Sequence, residues 1–251
     1  MDSMTVSSES RPAPYRERRV ADVAGTVWTG RHDAGSSTIL PDGCMDLIWT
    51  GRRILVAGPD TRPYVHHADV AGEMVGLRLD PGVAPTVLGC AADELRDTRT
   101  DLADLWTRAE AQRWCSAIVD ADDPASVLVA LTRTRVADRP AWLGPVVANL
   151  AAGRRIDLCA DVAGVTARTL HRQSLHHFGY GPKTLQRILR MRAAMTDLGV
   201  GRDLSAVAYR RGFADYPHMH REFVELAGHG PATFAVRAGH SGPEADQPRA
   251  Q

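Results

Sequence analysis

Two stretches in the C-terminal third of this chain repeat one another, and that repeat restricts the fold more than any other feature. Cys159-Ala160 stand before Gly164-Val165 with the spacing by which Val207-Ala208 stand before Gly212-Phe213. Farther on, Gly179-Tyr180-Gly181-Pro182 through Leu185 is matched by Gly228-His229-Gly230-Pro231 through Phe234, so the ends of the unit recur 48 and 49 residues apart. A period of this length means one supersecondary unit built twice. In the second copy Leu204, Val207 and Ala208 share a helical face, and Met219, Phe223 and Leu226 repeat that pattern after the break. Gly212 supplies the φ > 0 residue that ends the first helix. Asp215 is placed to cap the second, and Pro217 is tolerated in a first turn whose amides need no intrahelical partner. Each unit is therefore a helix-turn-helix, and KTLQRILRMRAAMTDL at 183–198 reads as one connecting helix of roughly 24 Å between them.

The rest of the chain has a different grammar. VAGTVWTG, STILPDGCMDLIWT, RRILVAGPD and EMVGLRLDPG are short Val/Ile/Leu/Trp runs punctuated by Asp-Gly, Gly-Pro and Pro-Gly, the signature of a small barrel or sandwich. After them, from about Ala91, the pattern turns helical, with a break at Pro124 and a boundary at ADRP before a helix near Trp142. The reading is an α+β multidomain protein. It comprises a disordered tail (1–18), a β-rich cupin-like sensory or dimerisation domain (19–110), a helical connector (111–140), an all-α domain with two helix-turn-helix units (141–238) and a second disordered tail (239–251). No run approaches the ~18 apolar residues of a membrane span, and the Arg-rich start has no signal-peptide core, so a cytoplasmic protein with no membrane partner is expected. Cys44, Cys90, Cys115 and Cys159 lie far apart with no CxxC pair, which favours reduced thiols over a disulfide framework or zinc module.

Charge and periodicity together indicate the partner. The formal net charge is zero, yet thirteen basic residues face seven acidic ones between Arg154 and Arg237. Lys183 is the chain's single lysine, so arginine abundance reflects base composition of the genome and arginine position is what carries information. At 100° per residue, Leu170 points to the core of the first unit and leaves Arg168, His171, Arg172 and Leu175 outside. In the second unit Pro217, His220, Arg221 and Val224 face out, flanked by Tyr216 and His218. Arg172 and Arg221 fall at matching places. An arginine there can pair bidentately with guanine O6 and N7, and histidine or tyrosine can donate to bases or phosphates. Two such helices on a rigid connector can enter major-groove segments about 34 Å apart on one side of the duplex.

These residues resemble the DNA-binding domain of the AraC/XylS family of bacterial transcriptional regulators. VAYRRGFADYPHMHREFVELAGHGPATF follows the family signature at its Ala-x-x-x-Gly-Phe turn, its second helix and its Gly-x-x-Pro exit, and the first unit follows it at Ala160, Gly164, Arg168, Leu170, Arg172, Gly179 and Pro182. The resemblance implies a sequence-specific regulator that binds double-stranded operator or promoter DNA, with RNA polymerase as protein partner. It places Arg168, His171, Arg172, Tyr216, His218, His220 and Arg221 at DNA-contacting positions. Ser174 departs from the family where an aromatic core residue is usual, and Pro217 where a small polar residue is usual. ILPDGCMDLIW at 39–49, Gly58-Pro59, GLRLDPG at 76–82, AADEL and LADLW resemble a sensory domain that precedes this module in many regulators, where it binds an effector or mediates homodimerisation. No effector is identified.

Asp42, Cys44 and Asp46 share one face of an extended strand, with His66 and His67 downstream, and a metal-dependent barrel enzyme with a helical interaction module is the alternative function. Against it, Asp42-Gly43 is a plain turn signal, and adjacent histidines on a strand point oppositely, so no metal or cofactor is expected. Cys44 as an alkyl acceptor is disfavoured because two neighbouring aspartates raise a thiol's pKa. Trp28, Trp49 and Trp106 either line an apolar effector pocket or pack the core, the latter being the commoner use. GxGxxG, P-loop and GxSxG motifs are missing from the sequence, so no enzymatic activity is assigned.

Overall fold

The structure, a computed structural model, describes residues 15–32 and 34–235. The N-terminal half is built on a six-stranded antiparallel sheet in the order β1 (Arg16–Val20), β2 (Gly25–His32), β7 (Gly72–Leu79), β4 (Met45–Trp49), β5 (Ile54–Ala57) and β8 (Arg99–Asp101). A two-stranded ribbon pairs β3 (Gly35–Ile39) with β6 (Tyr64–Ala68). Because side chains alternate along a strand, register decides which rows are apolar. Val27, Leu77, Leu47 and Val56 sit side by side across four strands and are all buried. On the other face Trp28 lies across Gly76, where an added Cβ would come within 2.3 Å of its ring.

The buried row is covered by helices. Ala111 and Ile118 of α3 (Arg108–Val119), and Ala125, Leu128, Val129 and Leu131 of α4 (Pro124–Arg133), join the core formed by Val27, Leu47 and Leu77. The segment expected to be a connector is thus largely part of the sheet domain. Its amphipathic helices close one face of a sheet that would otherwise expose its apolar row. Asp101 and Asp123 cap α2 (Leu102–Leu105) and α4, accepting the Ala103 and Ala125 amides at 2.9 and 3.1 Å. Strand β1 begins at Arg16, inside the stretch expected to be disordered up to residue 18. It is an edge strand held by its backbone ladder to β2 and by the Arg19–Asp80 ion pair, so it needs no apolar alternation. The expected disordered residues 1–14 and 239–251 lie outside the described residues.

The C-terminal half is all helical. Around α8 (Pro182–Gly199) gather α5 (Leu143–Ala151), α6 (Ile156–Val162), α7 (Ala167–Phe178), α9 (Leu204–Arg210), α10 (Tyr216–Ala227) and α11 (Ala232–Ala235). Leu185, Ile188, Met191, Ala194 and Leu198 make α8 the spine of a second core, to which α7 gives Leu170 and Phe178, and α10 gives Met219, Phe223 and Leu226. Full burial of each of these Leu, Ile, Met and Phe side chains contributes about 1.5–3 kcal/mol. Leu40, from the sheet domain, belongs to this second core as well.

The halves meet at the C-terminal end of α7, which packs on the 3-10 turn Ala92–Leu95 and on α1 (Ala84–Leu88). Arg96 donates to the Gly179 carbonyl at 3.2 Å. Gly179 itself is pressed against Pro59, where an added Cβ would lie 2.5 Å from the ring.

Candidate nucleic-acid interface

The two helix-turn-helix units use the same local devices. Gly164 and Gly212, at φ +67° and +71°, make the turns after α6 and α9. Thr166 and Asp215 sit two and three residues later as N-caps, accepting the Thr169 amide at 3.2 Å and the His218 amide at 2.7 Å. Each second helix then runs twelve residues and stops at a left-handed glycine, Gly179 or Gly228. Pro217 occupies the first turn of α10, where its missing N–H leaves no gap in the ladder.

The buried stripe of α7 is Leu170, Ser174 and Phe178, so Arg168, His171 and Arg172 are exposed. With Thr169 and Leu175 they rim a shallow hollow on the outer face of the helix. On α10, Met219, Phe223 and Leu226 are buried and Pro217, His220, Arg221 and Val224 are exposed. The equivalence extends to the histidines. The His171 ring lies over Gly181, and the His220 ring lies over Gly230; an added Cβ would come within 2.9 and 2.8 Å of the respective Nε2 atoms. Both glycines belong to the exit after the second helix, so each histidine braces that exit while keeping an exposed edge.

Tyr216 and His218 are less free. Tyr216 is half-buried against the second core, 6.1 Å between ring centroids from His220. His218 turns toward the protein: its Nδ1 accepts the Ala214 amide at 3.1 Å, its Nε2 is 3.3 Å from Glu222 Oε1, and its ring meets Phe213 edge-on. Sequence reasoning missed the polar anchors behind the second unit. Asp197 on α8 is buried and receives Arg211 at 2.8 Å, which holds its carboxyl below the usual carboxylate range. Glu222 is buried too. The i,i+4 pair His218 and Glu222 was the available signal for an inward-facing polar stripe.

The carboxylates of the sheet domain have their own partners. Asp42 accepts the Cys44 amide at 2.8 Å and lies 3.3 Å from Arg78 Nε, while Asp46 accepts the Trp28 indole N–H at 2.7 Å. Burial pushes Asp46 up to about 6 against the opposing pull of Arg78. Burial, then Asp42 and Asp46, push the Cys44 thiol well above its ordinary value, leaving it a protonated and weak nucleophile. His66 faces His32 edge-on and His67 bonds Ser36, and among the described residues no three His, Cys, Asp or Glu side chains converge as a metal site. Trp49 and Trp106 pack on the first core, and Trp106 donates to the Leu88 carbonyl at 2.9 Å.

Residues 159–237 match a family described as a helix-turn-helix domain, and residues 18–101 match a domain of unknown function. No curated protein sequence matches the chain. Among solved structures, the chain is similar to ToxT from Vibrio cholerae O395, with 9% identity, 86% of this chain and 98% of that one covered and a TM-score of 0.47. It is likewise similar to an apo point variant of ToxT from Vibrio cholerae strain SCE256, with 10% identity, 89% and 100% covered and a TM-score of 0.47. The matched helix-turn-helix domain coincides with the two geometrically equivalent units around α8, so the C-terminal part of the chain is a helix-turn-helix domain of the AraC type, a module of DNA-binding transcriptional regulators.

Proposed function

We propose that α7 and α10 enter successive major-groove segments of one operator, with Arg172 and Arg221 reading base edges. The observation that carries this reading is the equivalence of the two arginines. They lie 49 residues apart at the same exposed position of helices that share turn, cap and exit. Guanidinium groups so placed suit bidentate pairing with guanine, whose O6 and N7 both accept in the major groove. Arg168 sits in the first turn of α7 and contacts phosphate or a flanking base. His171 and His220 offer one exposed edge each to the DNA, and Tyr216 its phenol. His218 contributes mainly by fixing the start of α10, because its ring nitrogens already face Ala214 and Glu222.

The sheet domain acts as the regulatory half, receiving an effector or a second copy of the chain and passing the change through its contact with α7. RNA polymerase is the protein partner and the cytoplasm the place of action. No helix among the described residues is long and apolar enough to cross a membrane. We assign no catalytic step. A metal-dependent barrel enzyme is the weaker reading, since Asp42 and Asp46 are engaged by Arg78 and Trp28.

Selection of bound duplexes from a randomised 30-base-pair library, followed by sequencing, tests the proposal. Wild-type protein should select two half-motifs roughly one helical turn apart. Arg172→Ala and Arg221→Ala should each erase one half-motif, at a cost of about 1–3 kcal/mol in binding. Variants that select the same sequences as wild type would show that these faces do not read DNA. Affinity for the selected duplex should fall steeply with salt, as expected where arginines displace counterions from phosphates.

A further inference from the structure

The two units share their turn, cap and exposed arginine, but they are anchored differently. The first is docked on the sheet domain through the end of α7. The second is tied to α8 by a buried ion-pair cluster centred on Glu222, whose side chain is 9% exposed. Its Oε1 accepts Arg190 Nη2 at 2.6 Å and Arg187 Nε at 3.2 Å, and His218 Nε2 lies 3.3 Å away. Arg187 also reaches Glu225, one turn nearer the C-terminus of α10. Arg190 does more than pair: its guanidinium sits 4.6 Å over the Phe213 ring and donates to the Gly212 carbonyl at 3.3 Å. One arginine of the spine therefore connects the turn glycine, a core aromatic and the second helix. In the first unit the residue equivalent to Glu222 is Gln173, whose buried Oε1 has no partner among the described residues, and the residue equivalent to His218 is Thr169.

We propose that Glu222 is a positioning residue for DNA recognition, setting the rotation of α10 about its axis and thereby the aim of Arg221. The proposal rests on the reading of α10 as a DNA-contacting helix. Glu222 directly follows Arg221, so the two side chains project about 100° apart on a rigid cylinder. Any roll of α10 that lengthens the contacts to Arg187 and Arg190 swings Arg221 through the same angle. Buried ion pairs add little net stability compared with apolar packing, and their best-attested use is to fix registry. A helix that must present one arginine to one base pair needs that property more than it needs tighter packing.

The test uses the full-length chain and the same randomised duplex library. Glu222→Gln keeps the shape and removes the charge, and Arg187→Gln, at a side chain that is itself 22% exposed, removes one of the partners of Glu222. The half-motif lost in Arg221→Ala should flatten in Glu222→Gln, with base discrimination there reduced about tenfold. It should flatten less in Arg187→Gln. The half-motif lost in Arg172→Ala should stay as in wild type. A folded Glu222→Gln protein that selects both wild-type half-motifs would overturn the proposal, as would equal flattening of both, which is what general loosening of the domain produces. If Glu222→Gln does not fold, Arg187→Gln decides by the same two outcomes. A wild-type protein that selects no bipartite motif would overturn the DNA reading itself, and the proposal with it.

Discussion

Ser174 lies on the buried stripe of α7 between Leu170 and Phe178, and its hydroxyl is buried without a partner. The resemblance leads one to expect an aromatic side chain there. Here the aromatic side chains of the second core include Phe178, one turn on, and Tyr180, both buried. A desolvated hydroxyl with no bond is a cost, whereas a methyl group in its place is not. Ser174→Ala should therefore stabilise the protein by about 1 kcal/mol, read as a higher urea midpoint with an unchanged slope. A lower midpoint would show that the hydroxyl has a partner after all. Residue-scale expectations otherwise divided by chemistry. Exposed arginines were legible because helical projection needs only period and polarity. The orientation of His218 was not, because it depends on Glu222, whose charge reads in a sequence as solvent-facing until α8 is packed against it.

At the scale of elements, the turns were legible and the edges were not. The spacing predicts a connecting helix over 183–198, and α8 spans Pro182–Gly199. The glycines expected at φ > 0 in the turns are there, and an added Cβ at Gly164 or Gly212 would meet nothing within 4 Å. Alanine at either site is thus opposed by backbone conformation alone. Gly164→Ala and Gly212→Ala should each destabilise by about 1 kcal/mol, the cost of holding a Cβ-bearing residue in the left-handed region. Gly212→Asn should cost less, because asparagine tolerates that region. Thermal melts of the three variants check this, and a loss of several kcal/mol would mean that the turns are packed tighter than the open space around them indicates. By contrast, β1, β6 and β8 escaped the sequence reading. Arg16–Val20, Tyr64–Ala68 and Arg99–Asp101 are short, and none carries an apolar alternation, because β1 and β8 are sheet edges and β6 lies in a two-stranded ribbon. The periodicity predicts helices from about Ala91 and reads 111–140 as a connector, because the apolar faces of α3 and α4 do not reveal from sequence which surface they cover.

At the scale of the whole molecule, the sheet domain grips the first unit at the point where α7 ends. His177 is part of that grip: its Nδ1 is 3.3 Å from the Gly82 carbonyl, and its ring meets Trp142 edge-on and stands 4.8 Å from His176. Burial, reinforced by His176, lowers its pKa below the ordinary 6.5, although the Gly82 carbonyl opposes the shift. A histidine whose pKa is lowered in the folded, docked state binds fewer protons there than when freed. Docking therefore strengthens as pH rises through the window beneath 6.5 and weakens as pH falls through it. Acid should loosen the joint between the sheet domain and α7 before it unfolds either core. Hydrogen exchange at the Ala92–Leu95 turn and at the last turn of α7 measures this directly. In wild-type protein, exchange at both places, corrected for intrinsic rates, should accelerate between pH 7 and 5, while the buried amides of α8 stay protected. His177→Gln can still donate to the Gly82 carbonyl and does not titrate, so its exchange should be nearly flat over the same range. If the variant responds to acid as steeply as wild type, the sensitivity belongs to other groups at the joint and His177 is only a packing residue. If the joint loosens as expected, affinity for DNA in the same pH range shows whether the grip on α7 favours or opposes binding, because a contact that holds α7 in its reading orientation and one that withholds it move the affinity in opposite directions.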